Sequence, residues 1–390
     1  MTRETVSSHE QSLAGVRESL RVKWYRSPVD PKRLRELMTR SDLQGWWQSA
    51  GHLALVVFTG LATYLFWRQE SWGAFAIALF VYGTFSSFLP GAAVHELGHG
   101  TVFRTKWLNK LFLYLFSLPS WWNPFDYALS HTYHHRYTLH PEGDREVILP
   151  LRPTPAFLVA VTLFSISLFS KPVNVFGRGG LFTAIVDTMR TALGVGVPSN
   201  TPAREWLAAL RADQASERHK AVWWARLIVL FHTGVIVITI VTGLWILPIL
   251  LSIATFIGPW WVYAVGTTQH TGLRNDVADF RKCVRSVRVD PVSEFLYWRM
   301  NWHTEHHMYA GVPCYNLKKL ALEIADDLPA PRTFGGAWRE MREIWRRQET
   351  EPTYQFDTPL PETAGRIRNS DPPHALEDSI GDLAPVGLQK

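Results

Sequence analysis

Cysteine is scarce in this chain of 390 residues. The two cysteines, Cys283 and Cys314, form no CxxC motif, so the sequence indicates neither a disulfide framework nor a thiolate metal site. The chain also lacks the glycine-rich motifs that bind flavin or nicotinamide cofactors, and it has no fused heme domain. If the protein carries out a redox reaction, its electrons are therefore expected to come from a separate donor.

Charged residues are almost missing from three long stretches, at about 49–67, 72–94 and 223–265, although the mean hydropathy of the whole chain is −0.05. Each of the first two can cross the hydrocarbon layer of about 30 Å as one helix, and the third can cross it twice. Two apolar runs, at 108–122 and 155–170, are shorter and are interpreted as interfacial. The pattern predicts an all-α integral membrane protein with four transmembrane helices.

The segment 1–45 is polar, is rich in Arg and Lys, and contains no apolar core that would mark a signal peptide. Under the positive-inside rule this arm stays in the cytosol, so four spans place both termini and a histidine-bearing cap there. The membrane domain is expected to cover 46–345. Residues 346–390 are acidic and rich in proline, which predicts a disordered tail. The net charge of +6 follows from the same rule, and no motif for nucleic acid accompanies it.

Histidine is clustered in three motifs, HELGH at 95–99, HTYHH at 131–135 and HTEHH at 303–307. Residues three and four positions apart share a helix face, so the imidazoles of each motif are expected to converge on one point. A ninth histidine follows the last apolar run. One zinc ion takes about four ligands, so the set predicts two metal ions, and imidazole suits Fe, Zn or Cu. The candidate ligands are His95, His99, His131, His134, His135, His270, His303, His306 and His307.

In this order, HELGHG, HTYHH and HTEHH resemble the three histidine boxes of the membrane fatty acid desaturase and hydroxylase superfamily. The resemblance covers about His95 to Leu317 and includes the arrangement of four spans. It implies two iron ions as cofactors, with dioxygen as co-substrate and two electrons for attack on an unactivated C–H bond. Members of the family commonly carry a further ligand histidine after the last span, and His270 occupies that position. Some members have an Asn one helical turn earlier, where this chain has Gly266.

The resemblance implies oxygen-dependent desaturation of a fatty acyl or lipid-like chain. Hydroxylation of a lipid or a small amphiphile is an alternative within the same superfamily. Electrons would come from a ferredoxin, or from cytochrome b5 with its reductase. The basic segment from Arg281 to Arg288 is a candidate docking surface for an acidic donor, and contact with phospholipid headgroups explains it equally well.

A different class of enzyme is compatible with HELGH taken alone, since this motif matches the HExxH signature of zinc metalloproteases with Glu96 as general base. At the end of a membrane helix it would indicate an intramembrane protease. This alternative leaves both HxxHH motifs unexplained, and no distant Asp motif convincingly completes a zinc site. The di-iron interpretation is therefore preferred.

Carboxylates near the histidines are expected to offset the charge of the metals and to hold the imidazole tautomers. The candidates are Glu96, Asp126, Asp144 and Glu305. His140 lies off the helical face of His135 and is left out of the ligand set. His232 lies inside a predicted span and is expected to be an ordinary hydrogen-bonded residue.

Overall fold

The computed structural model describes residues 13–147, 156–169, 179–196 and 202–365. Two short helices, α1 (Leu13–Ser19) and α2 (Pro31–Leu37), precede the long helix α3 (Asp42–Arg68). Asp30 and Ser41 accept hydrogen bonds from backbone N–H groups in the first turns of α2 and α3. These side chains satisfy donors that have no partner inside the helix, so both helices have well-defined starts.

A short turn connects α3 to α4 (Trp72–Ser86), and the two helices pack against each other. A π-helical turn at Leu89–Ala93 and the short helix α5 (Val94–Gly98) continue α4 as far as the first histidine motif. Pro90 lies in the π-helical turn and lacks the N–H that a regular α-helix would use there. The helix is therefore locally widened just before the turn that contains His95 and His99.

Two helices that are shorter than a membrane span follow, α6 (Lys106–Ser117) and α7 (Pro124–Tyr137). At 1.5 Å per residue, α6 is about 18 Å long, well below the hydrocarbon thickness of about 30 Å. Asn123 accepts backbone hydrogen bonds at the start of α7, and Pro124 occupies the first helical position, where no N–H is needed. The second histidine motif lies on this capped helix.

Three helices, α8 (Ala156–Phe164), α9 (Leu181–Ala192) and α10 (Pro202–Asp213), precede the long helix α11 (Ala215–Thr242). Helix α9 packs against α11, and α10 packs against α7. Helix α11 ends at Gly243, which has a φ of +71° and so adopts the left-handed conformation that glycine permits at a helix end.

Among the described residues, three helical stretches are long and apolar enough to cross a membrane, namely Asp42–Arg68, Trp72–Gly98 and Ala215–Thr242. The sequence predicts a fourth continuous helix in the second half of the 223–265 stretch, and here the structure differs. That part of the chain consists of a π-helical turn, a 3₁₀ turn and one short α-helix. Their bounds are Ile249–Ile253, Ala254–Phe256 and, for α12, Trp260–Gly266.

The interruption before α12 has a local cause. Pro259 removes a backbone donor, and Gly258 beside it adopts a φ of +54°, which ends regular helix. The carbonyl of Gly258 instead accepts a hydrogen bond from the Thr84 hydroxyl at 3.1 Å, and the carbonyl of Leu250 accepts one from Tyr82 at 2.5 Å. Side chains of α4 thus satisfy backbone groups that a continuous helix would have paired internally.

The residues after α12 form a cap of short elements around the third histidine motif. Its helices are α13 (Phe280–Cys283), α14 (Pro291–Leu296), α15 (His303–Met308), α16 (Leu317–Glu323) and α17 (Phe334–Thr350). Two short strands, β1 (Val287–Arg288) and β2 (Arg332–Thr333), pair in parallel. Buried Trp298 and Leu317 belong to the same apolar core as Leu97 of α5, so the cap packs directly on the helix that carries the first motif.

Residues 346–365 belong to the segment for which the sequence predicts disorder, and in the structure they contact the cap as far as Gly365. Helix α17 continues to Thr350, and the backbone N–H of Phe356 then donates to the Gly272 carbonyl at 2.8 Å. Lys282 forms an ion pair with Asp357 at 2.9 Å. Composition does not reveal this docking, because backbone hydrogen bonds and ion pairs hold the segment rather than buried apolar side chains. Residues 366–390 of the expected tail lie outside the described residues.

Candidate metal centre

Nine histidines meet in two adjoining groups. Within each group, every histidine offers a ring nitrogen that lies within 4.8 Å of the nitrogens offered by the others. The five-histidine group consists of His95, His99, His131, His135 and His306. The four-histidine group consists of His134, His270, His303 and His307. Each histidine named as a candidate ligand in the sequence lies in one of them, whereas His140 lies in neither.

The two HxxHH motifs each divide between the groups, so the expectation that all imidazoles of one motif converge on a single point is wrong. In α7, His131 and His135 face the five-histidine group, and His134 faces the other. In α15 the arrangement is reversed, since His303 and His307 join the four-histidine group while the intervening His306 does not. Adjacent residues in a helix differ by about 100° in direction, which lets one turn serve two metals.

Ring nitrogens in both groups are separated by the distances that a shared metal requires. In the five-histidine group, the Nε2 atom of His131 lies 3.2 Å from that of His99 and 2.9 Å from that of His135. In the other group, the Nε2 atom of His303 lies 3.0 Å from that of His270 and 3.1 Å from that of His307. Nitrogens bound at 2.0–2.1 Å around one ion lie about 2.9–3.4 Å apart, from right-angle to tetrahedral arrangements. The residues therefore fit a metal in each group.

Carboxylates hold the outward-facing nitrogens of the five-histidine group. The Nδ1 atom of His95 lies 2.9 Å from an Oε1 of Glu96, and the Nδ1 atom of His131 lies 3.0 Å from Glu146. With a cation bound nearby the carboxylates would be ionised and could only accept, so each contact would fix the proton on Nδ1 and leave Nε2 with its lone pair for a metal. The Nε2 atom of His95 is buried and has no hydrogen-bond partner in the described part of the chain. A buried nitrogen without a partner is rare unless it binds something else, so this atom fits the role of a metal ligand.

The four-histidine group uses more varied partners for the same purpose. The Nδ1 atom of His134 lies 2.9 Å from Asp144, and that of His270 lies 3.1 Å from the Cys283 carbonyl. The Nδ1 atom of His307 lies 3.1 Å from the Thr138 hydroxyl. That hydroxyl donates to the His134 carbonyl at 2.6 Å, so its oxygen is left to accept from His307.

Of the four carboxylates expected to support the centre, two contact histidines, namely Glu96 and Asp144. Asp126 instead pairs with Arg211, at 2.8 Å and 2.5 Å, and so ties α7 to α10. Glu305 accepts a hydrogen bond from the Ser286 hydroxyl at 2.5 Å. Both pairings join segments distant in sequence, which spacing along the chain does not reveal.

Sequence reasoning missed Glu146. Its backbone N–H donates to the Asp144 side chain at 2.9 Å, so a tight turn presents both carboxylates to α7. Ser130 donates a further hydrogen bond to Glu146 at 2.7 Å. The available signal was a second acid two residues after Asp144, in a polar segment closely following the second histidine motif.

Burial sets the protonation of these groups. It lowers the pKa of His270 to about 3, and together with neighbouring imidazoles it holds the pKa values of His131 and His135 well below the usual range. These side chains are therefore neutral at pH 7, which metal ligation requires. Burial also raises the pKa of Glu146 and of Glu305 to about 7. A bound cation would favour the ionised form of a nearby carboxylate.

An apolar cavity borders the five-histidine group, between α5, α6 and α7. His95 and His131 form part of its wall, and Gly98 has open space where a Cβ atom would stand. The other residues of the wall are Val94, Leu113, Tyr114, Pro124, Phe125, Tyr127 and Ala128. Among these described residues there is no member of the four-histidine group, so the cavity approaches the centre from one side.

The family model of the fatty acid desaturases matches residues 70–335, which is more than half of the chain and includes all nine histidines. The chain belongs to the fatty acid desaturase family. This confirms the family predicted from the three histidine motifs, and it identifies the protein as an oxidoreductase of the desaturase or hydroxylase type that acts on lipid and associates with membranes. No curated protein shows significant similarity to the chain.

Proposed function

We propose that this member of the fatty acid desaturase family introduces a double bond into a fatty acyl or lipid-like chain, using dioxygen and two iron ions. The observation that carries the proposal is the presence of two adjoining all-histidine groups in a chain of this family. Iron bound in both groups would supply the redox chemistry that breaks an unactivated C–H bond with dioxygen.

The residues of the chain would hold and orient the two ions. Neutral imidazoles bring no charge, so the carboxylates of Glu96, Asp144 and Glu146 would compensate the positive charge of the metals. Each also points the Nε2 atom of its histidine inward by holding the Nδ1 proton. The complete burial of these contacts keeps water from competing with the ligands.

The apolar cavity supports a hydrocarbon substrate. Its walls offer aliphatic and aromatic surface next to His95 and His131, but its volume is only about 20 Å³, so side chains of the wall would have to move apart for an acyl segment to lie beside the metal of the five-histidine group. The Tyr127 ring, which also lines the cavity, stacks on the His131 ring at 5.0 Å between centroids. An apolar chain in this cavity would exclude water from the reacting side of the centre.

We also propose four crossings of the membrane, with the centre and both termini in the cytosol. Two observations support an interrupted fourth crossing by residues 247–266. The segment leads from the far end of α11 back to His270, and its Ser252 hydroxyl lies 2.7 Å from Nδ1 of His232 within α11. The basic arm at the N-terminus supports the orientation.

A zinc protease gains no support from the surroundings of Glu96. A general base must face a water and a substrate. The Glu96 carboxylate is buried, contacts His95, and lies 3.5 Å from Nδ1 of His306. Electrons for the oxidation would come from a separate ferredoxin, or from cytochrome b5 with its reductase.

Lipid analysis by mass spectrometry after expression in a heterologous host tests the proposal. We expect a lipid that has lost two hydrogens, and we expect its absence with His306→Ala or His134→Ala, one ligand from each group. Membrane insertion of the variants, checked by fractionation, should be unchanged. Gain of one oxygen would identify a hydroxylase instead, and unchanged lipids with cleavage of a membrane reporter would favour the protease.

A further inference from the structure

Trp24 is a partly exposed residue that touches the surroundings of both histidine groups. Its indole N–H donates to the backbone carbonyl of Arg136 at 2.9 Å, and Arg136 directly follows His135 of the five-histidine group. The bond lies at the exposed surface of the protein. One side of the indole is thus one hydrogen bond and one residue away from a candidate ligand.

The face of the same indole contacts a residue that lies next to the four-histidine group. It stacks on the Phe280 ring, with 4.0 Å between centroids and 8° between planes. The Phe280 side chain is only 1% exposed, and its ring centroid lies 5.5 Å from that of His307 in the four-histidine group. A row of three rings therefore runs from solvent to a candidate ligand.

Backbone contacts hold this row in place. The N–H of Tyr25 donates to the Ala278 carbonyl at 2.9 Å, and Tyr25 and Asp279 form a bridge, so the segment after Trp24 runs alongside the loop before Phe280. Phe280 begins α13, whose last residue Cys283 accepts the hydrogen bond from His270. The position of the indole and the orientation of a candidate ligand thus depend on the same short helix.

We propose that Trp24 is the point at which electrons enter the metal centre. This inference rests on the proposed function, which needs two electrons per turnover from outside the chain. An external one-electron carrier would be oxidised by one electron in each of two steps, and each electron would pass through the indole and Phe280 to the metals, with no bond made or broken. Electron transfer through protein slows steeply with distance, and rings in contact shorten the gap between the surface and the buried ligands.

A photochemical injection experiment tests this route. Both native cysteines are 0% exposed, so a cysteine introduced by Lys23→Cys at an exposed position would react selectively with a ruthenium polypyridyl label. The full chain, loaded with iron, is flashed without dioxygen or lipid while the absorbance of the iron centre is followed. We expect a fast reduction phase in the labelled parent. That phase should be lost in Trp24→Leu and in Phe280→Leu, and it should be retained in Trp24→Phe, which keeps a stacked ring.

Trp338→Leu is the matched control. Trp338 is also partly exposed, and its indole also donates to a backbone carbonyl, that of Ala264 in α12 at 3.1 Å, but its ring contact is with Trp345. This variant should keep the fast phase. Iron per chain is measured for every variant before the flash.

Three results would overturn the route. The first is an unchanged fast phase in Trp24→Leu at full iron content. The second is loss of iron from Trp24→Leu, which would make Trp24 a structural residue, and the third is a labelled parent whose iron is reduced by dithionite but not by the label. An iron-loaded parent that even dithionite fails to reduce would count against the proposed function itself, and the two failures are thereby distinguished.

Discussion

The two histidine groups differ in what surrounds them more than in their ligands. In the five-histidine group, the carboxylates of Glu96 and Glu146 hold two of the imidazoles, and an apolar cavity touches the ligands directly. The four-histidine group has one such carboxylate, from Asp144, together with a backbone carbonyl and a hydroxyl. On its outer side, the Phe280 ring lies 5.5 Å from that of His307.

This difference implies that the two metals would not be equivalent. A ligand that donates to a carboxylate is more basic than one that donates to a neutral oxygen, so the five-histidine group offers stronger donors. It also has the access for a hydrocarbon, whereas the four-histidine group adjoins the ring contacts that lead to the surface. Substrate and electrons would therefore approach the centre at different histidine groups.

Removing one ligand from each group should have the largest effect. We expect His131→Ala and His303→Ala each to abolish turnover, because the reaction needs both metals. Iron per chain should fall from two to one in each variant, since the groups share no histidine. Elemental analysis of purified protein gives the ratio. Two bound irons in either variant would contradict the assignment of that group.

Removing a carboxylate should have a smaller and one-sided effect. Glu146→Gln should weaken iron at the five-histidine group and Asp144→Asn at the other, each by about 10–100-fold in affinity, the range typical of such supporting residues. Competition with a chelator measures both affinities. Asp126→Asn is the control, because its partner is Arg211, and its iron affinity should stay at the parent value while its stability falls. If either carboxylate variant weakened iron binding equally at both groups, the two groups would not differ in the way proposed here.

Acidification should release iron from the two groups at different pH values, and we expect this effect to be smaller than that of the carboxylate variants. Burial lowers the pKa of His134, but the charges of Asp144 and Glu146 outweigh it and raise the pKa overall. Burial and neighbouring imidazoles lower the pKa values of His135 and His306 instead. A proton therefore competes with the metal at higher pH at His134 than at these two residues, although burial lowers the pKa of His270 in the same group. His134 should be the first ligand lost, so the four-histidine group should release its iron first. Iron retained after dialysis at successively lower pH tests the order, and release from the five-histidine group first would reverse the comparison.

Filling the cavity should have the smallest effect on the centre itself. Gly98→Leu would project into open space on the cavity wall, so we expect poorer turnover of long acyl chains with iron content unchanged. Gly98→Ala is the matched control and should be close to the parent. Kinetics with substrates of graded chain length would show the change, and an unaltered chain-length profile in Gly98→Leu would mean that the substrate enters elsewhere.

Sequence reasoning could select the nine histidines because few other patterns place so many imidazoles beside apolar runs. The structure brings these nine side chains together in two groups, and their role as metal ligands stays a prediction. His232 is hydrogen-bonded to Ser252 within the fold, as expected for a histidine inside an apolar helix. The fourth apolar segment was found, but its interruption was not, because Pro259 and Gly258 are tolerated there only through hydrogen bonds from α4.

The chain by itself determined the family, the helical character and the identity of the candidate ligands, since each follows from residues close together in sequence. Tertiary structure alone decided how His134 and His135 divide between the two histidine groups, that Glu146 contacts His131 while Asp126 contacts no histidine in the described structure, and that residues 351–365 lie on the cap. The physical reason is that these outcomes depend on how the helices are rotated and which distant segments meet, and no local pattern of residues encodes either.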